Sequence, residues 1–106
     1  MLDCFAPNAI TELPPMMPTL PPGVVPYRRT PTFTMGTIPQ ALLQAHSTKS
    51  GVWGRIVVVS GRLRYELVEG GQAFELGPGD VGIVAPGTGH RVSPIDQVRF
   101  YIEFLK

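Results

Sequence analysis

The sequence predicts an all-β domain, an antiparallel barrel or sandwich reached through a proline-rich arm. Two observations carry that reading. The two punctuating residues are segregated: nine of the 12 prolines lie at or before Pro39, and ten of the 12 glycines lie between Gly51 and Gly89. Glycine turns at that density suit short strands and exclude a helical bundle. Val, Leu, Ile and Phe together make up 31 of the 106 residues, or about 29%, above the ~20% below which chains tend to stay disordered. A chain of this length holds one domain with one modest core.

Each element follows in order. Residues 1–22 carry only Asp3 and Glu12 as charges, and Pro14, Pro15, Pro18, Pro21 and Pro22 break any helix. They read as an extended, polyproline-like arm, with the domain proper over 23–106. Thr30–Thr34 is a candidate edge strand, and Gln40–Ala45, just after Pro39, supports a helical turn or two. Arg55–Ser60 is a β-branched run, apolar on both faces as a buried strand would be. Arg62–Leu67 alternates and puts Leu63, Tyr65 and Leu67 on one face. Glu69-Gly70-Gly71 marks a hairpin into Gln72–Leu76, and Gly77-Pro78-Gly79-Asp80 a turn into Val81–Ala85. Pro86–Gly89 leads into His90–Ser93. Gln97–Leu105 then closes the chain, with Val98, Phe100, Ile102 and Phe104 on one face.

Bulk charge and cysteine content exclude several functions. Nine basic against eight acidic residues give a net charge of +1 with no basic stripe, so nucleic acid is not an expected partner. The longest apolar run, Ile56–Val59, is too short to cross a bilayer, and the N-terminus lacks the basic and apolar regions of a signal peptide. A cytoplasmic protein with no membrane partner is expected. The single cysteine, Cys4, builds no disulfide framework. A redox role for it needs exposure and a lowered pKa, and no flanking base on the arm supplies one. No glycine-rich loop opens a helix and no nucleophile elbow appears, so no organic cofactor is expected.

The chemistry-bearing residues resemble a known pattern. Gly79-Asp80, a short strand, Pro86, a glycine turn and His90 resemble the second cupin motif. A strand ending in Gly61 and preceded by His46 resembles what is left of the first. More closely, Val24–Phe33, His46-Ser47-Thr48-Lys49, Gly51–Arg55 and Arg99–Phe104 are similar to the TehB/YeaR-like cupin family. That family is found alone or ahead of a methyltransferase in tellurite-resistance proteins. The resemblance covers about residues 20–106. It implies a small cupin-like antiparallel jelly-roll barrel behind the proline-rich N-terminal arm. No methyltransferase follows before Lys106, so methylation is not expected of this chain.

The first motif departs from a full cupin metal site. Counting back from Gly61 puts the metal-binding glutamate position on Gly54 and the second histidine on Lys49 or Ser50. What remains as a candidate metal set is His46, His90 and Glu103. Two imidazoles and a carboxylate are a facial set suited to Zn²⁺, Fe²⁺, Mn²⁺ or Ni²⁺. Glu103 belongs to it only if the apolar face opposite it packs on a second sheet, the arm or another subunit. Further pocket candidates are Lys49, Trp53, Tyr101 and the guanidinium pair Arg28 and Arg29, which suits an anion.

The resemblance implies a small-molecule or metal-binding domain in a toxic-oxyanion or stress response. The expected partner is a small molecule or oxyanion, and the expected assembly is a homodimer formed through the apolar face of the last strand and the arm. Two alternatives stand beside it. One is a metal-dependent oxygenase or isomerase using His46, His90 and Glu103, with Tyr101, Lys49 or Glu103 as acid or base. The other is a non-catalytic interaction module with a vestigial pocket, its histidines more than ~8 Å apart, too far to share one ion.

Overall fold

A computed structural model of the chain describes residues 17–106. The expectations for Cys4 and for most of the 1–22 arm lie outside the described residues. The elements are β1 (Pro26–Arg29), β2 (Phe33–Thr34), α1 (Gln40–Leu43), β3 (Trp53–Ser60), β4 (Leu63–Leu67), β5 (Ala73–Leu76), β6 (Val81–Val84), β7 (His90–Pro94) and β8 (Arg99–Leu105). The short helix ends where Gln44 turns extended, and it has no side-chain cap.

The strands form two antiparallel sheets. The larger runs β1-β8-β3-β6, with β2 also on β8, and the smaller runs β5-β4-β7. The all-β, antiparallel expectation therefore holds, but among the described residues the sheets do not close into a barrel. Four of the five links after β3 carry the chain from one sheet to the other rather than folding it back as a hairpin; the exception is the Glu69–Gly71 turn between β4 and β5. Prolines stand at or just beyond three strand ends: Pro78 follows β5 by two residues, Pro86 follows β6 by two, and Pro94 ends β7. A ring nitrogen cannot extend a ladder.

The core lies between the facing sheets. Ile56, Val58, Val84, Val98, Phe100 and Ile102 from the larger side meet Leu63, Tyr65, Leu67, Leu76 and Val92 from the smaller. Leu63, Tyr65 and Leu67 share a face as their alternation requires, and all three are buried. The strand around Val57 departs from expectation. Gly54, Ile56 and Val58 are buried, but Val59 on the other face is half exposed, because the larger sheet is covered on its inner side. The apolar face of β8 is likewise consumed in this core, with Phe100 fully buried.

Tyr65 ties the two layers together. Its hydroxyl, on the smaller sheet, donates to the Ile83 carbonyl of the larger at 2.8 Å. Burial pushes its pKa up to about 12, so the phenol remains a donor. Opposite it, a Cβ on Gly82 would meet Leu76 Cδ1 at 2.9 Å and Tyr65 Cδ2 at 3.1 Å; glycine lets β6 approach the ring this closely without displacing them. Gly61, between β3 and β4, has φ of +75°, and a Cβ there would sit 2.4 Å from the Gln97 carbonyl oxygen.

Two substitutions test this arrangement by urea unfolding. Tyr65→Phe is expected to cost about 1 kcal/mol, the net worth of one buried hydrogen bond. Gly61→Ala should cost more, since it adds left-handed strain and a collision with backbone. Equal stability of Tyr65→Phe and the parent would show that the hydroxyl does not tie the sheets.

Candidate functional site

At one end of the sandwich the sheets part around a cavity of about 280 Å³. Its walls come from β1, α1, the loop after α1, and the ends of β3, β6, β7 and β8. The loop is fastened by an isolated antiparallel bridge between His46 and His90. The His46 amide donates to the His90 carbonyl at 2.9 Å, and the His90 amide to the His46 carbonyl at 2.8 Å. This bridge brings the two histidines together from 44 residues apart in sequence, with ring centroids 4.1 Å apart.

Both rings are held the same way. Nδ1 of His46 lies 2.9 Å from the Gln44 carbonyl oxygen, and Nδ1 of His90 lies 3.1 Å from that of Thr88. A carbonyl only accepts, so each Nδ1 carries a proton, and Nε2 is the ring nitrogen left free of the backbone. The Tyr65 and His90 rings pack nearly perpendicular, 79° apart, with centroids 5.9 Å apart. Burial lowers the His90 pKa; the bond to Thr88 opposes that shift and the neighbouring His46 adds to it. The buried imidazole is thus held neutral.

The remaining candidates divide by face. Lys49 and Arg28 line the cavity with the two histidines, as does Gly54, the position where a full site would carry glutamate. A Cβ at Gly54 would meet Val84 Cβ at 3.3 Å. Trp53, Arg29 and Tyr101 do not line it. Glu103 is the main correction. The apolar face of β8 does pack on a second sheet, but the cavity opens on that same side, where Ile102 and Phe104 line it. Strand alternation therefore turns Glu103 away. Register sets it opposite both Arg29 and Arg55, and its carboxylate pairs with Arg29 at 3.0 Å and Arg55 at 2.7 Å. Arg29 also lies over the Tyr101 ring, 4.3 Å from its centroid. Of the acid–base candidates, only Lys49 is left beside the histidines.

This donor set does not fit a resident metal ion. Zinc sites use three or four protein ligands; here two imidazoles converge, and no group of three His, Cys, Asp or Glu forms among the described residues. Sequence reasoning missed Tyr27, Leu42, Thr48 and Val52 in the lining. Tyr27 and its neighbour Arg28 both reach the cavity because pairing slips between Pro26 and Arg28, a bulge that alternation does not foresee. Thr48 had a local signal, since its hydroxyl donates to the Val52 carbonyl at 2.8 Å and shapes the loop.

Comparison with known proteins places this chain in a family. The model of the TehB-like domain matches residues 28–102, a span that includes the lining from Arg28 to Ile102. The chain belongs to the TehB-like family. Among curated relatives, the probable S-adenosyl-L-methionine-dependent methyltransferase TehB of Haemophilus influenzae Rd is 32% identical over 74 residues, or 65% of this chain. The same protein from strain 10810 is 31% identical over 74 residues. The chain spans 26% of the length of each. The crystal structure of Haemophilus influenzae TehB superposes with a TM-score of 0.70 at 30% identity, covering 77% of this chain and 31% of that one. An E. coli K12 protein solved by the Northeast Structural Genomics Consortium superposes with a TM-score of 0.78 at 22% identity. It covers 85% of this chain and 97% of that one, and at that identity it shows the fold alone. Among the described residues, no helix is long and apolar enough to cross a membrane.

The titration of the site has a defined sign. His90 stays neutral in the folded state while the unfolded chain gains a proton below about pH 6.5, so stability should hold above that pH and fall as pH drops through and below it. Burial pushes Glu103 up, but hydrogen bonds and charge from Arg55 and Arg29 outweigh it and leave the carboxyl below its ordinary range. That stabilisation is present above about pH 4.3 and is lost as pH falls further. Urea midpoints measured from pH 8 to 3 should show both losses. His90→Gln should remove the upper one and Glu103→Gln the lower.

Proposed function

We propose that this chain is a small-molecule-binding domain of cupin-like plan, acting in a response to toxic oxyanions or related stress, with the end cavity as its ligand site. The observation that carries this reading is the histidine pair. Two imidazoles are each held at Nδ1 by a backbone carbonyl, side by side in a cavity built from both sheets. Preset polar groups next to cationic side chains orient a ligand at little entropic cost. Direct recognition by the imidazoles, Lys49 and Arg28 needs no resident metal. The stress context rests on family membership, and the methyl transfer named for the Haemophilus relatives belongs to proteins about four times the length matched here.

A thermal-shift panel of tellurite, phosphate, Zn²⁺ and S-adenosylmethionine tests the reading on the intact chain. At least one probe should raise Tm, and His46→Ala and His90→Gln should each remove most of that shift while unfolding cooperatively. Shifts that survive both substitutions would sink the reading. A surviving shift from S-adenosylmethionine would point to a methyltransferase role elsewhere on the chain.

A further inference from the structure

The cavity's lining is unbalanced in two respects. Among the described residues it contains two cationic side chains, Arg28 and Lys49, and no Asp or Glu. Neither cation has a carboxylate partner among the described residues, whereas Arg29, Arg55, Arg62, Arg64 and Arg91 all do. Below the polar rim the wall is aliphatic and aromatic, with Ile56, Val84, Ile102 and Phe104 among its residues. Gly54 keeps this wall open, since a side chain there would press on Val84.

An inorganic oxyanion uses only half of such a site. Fully hydrated and polar on every side, it gains nothing from the apolar wall and loses water against it. A neutral apolar ligand leaves Arg28 and Lys49 without partners. Size narrows the choice further: about 280 Å³ is roughly twice the ~150 Å³ that holds a benzene in an engineered cavity. We propose that the ligand of this pocket is a small organic monocarboxylate, its acid group held by Arg28 and Lys49 and its hydrocarbon part against Ile56, Val84, Ile102 and Phe104. The inference rests on the pocket reading above and names its ligand class.

The test uses the intact chain with benzoate and butyrate, their neutral amides, and the inorganic anions sulfate and tellurite. Binding is read by thermal shift and by the ring ¹⁵N signals of His46 and His90. Benzoate should raise Tm and move both ring signals, with benzamide at least about tenfold weaker, the loss expected when a charge-assisted hydrogen bond is removed. Arg28→Gln and Lys49→Gln sit on exposed side chains; they should keep the parental Tm without acid and weaken benzoate by about tenfold each. Gly54→Ala should weaken benzoate more than butyrate, because it narrows the apolar end. Equal binding of benzoate and benzamide overturns the inference. So does a response to tellurite or sulfate without one to either acid, although the pocket reading then stands. Silence of both histidine rings to every probe overturns the two together.

Discussion

The structure depends on one buried phenol. Tyr65 is fully buried between the sheets, and a hydroxyl in that position must find an acceptor. The acceptor is Ile83 on the other sheet, so satisfying the group also sets the separation and alignment of the two layers. A side chain at position 82 would press on Leu76 and on the Tyr65 ring, which favours the glycine in an otherwise apolar β6. The same ring packs against that of His90. The contact that joins the sheets therefore also supports one wall of the cavity.

Strand β8 divides the chemistry of the molecule by alternation. Its inward residues, Phe100 and Ile102, build the core, and Ile102 with Phe104 goes on to line the cavity. Its outward Glu103 gathers Arg29 and Arg55 from the strands on either side. Two bidentate-capable guanidinium groups on one nearly buried carboxylate form a local clamp that pins β1 and β3 to β8. Pairing these two arginines outside leaves Arg28, one residue along, as a cation of the cavity. The pocket's positive character is thus partly a result of where the only acid of β8 points.

Much of this was legible from residue order alone. The turn residues Gly61, Glu69–Gly71, Gly77–Asp80 and Pro86–Gly89 marked the strand ends to within a residue or two, because positive φ and missing N–H groups act locally. Which turns fold a hairpin and which cross between sheets is not a local property. Gly77–Asp80 looks like any tight turn, closed by Asp80 on the Gly77 amide and carbonyl, yet it carries the chain from β5 in one sheet to β6 in the other. The metal triad failed for a related reason: alternation correctly placed Glu103 opposite Phe104 on β8, but which face met the cavity depended on the partner sheet.

The sequence by itself determined the strand content, the shared faces of β4 and β8, and the membership of His46 and His90 in one family pattern. The first two follow from periodicity and turn chemistry, which act over a few residues; the third rests on resemblance to that family. Tertiary structure alone decided that the sheets remain open among the described residues, that the β8 apolar face is core, and that His46 and His90 stand in contact while Glu103 faces away. Each of those outcomes is set by pairing between segments dozens of residues apart, where register and layer assignment are chosen by the fit of the whole core.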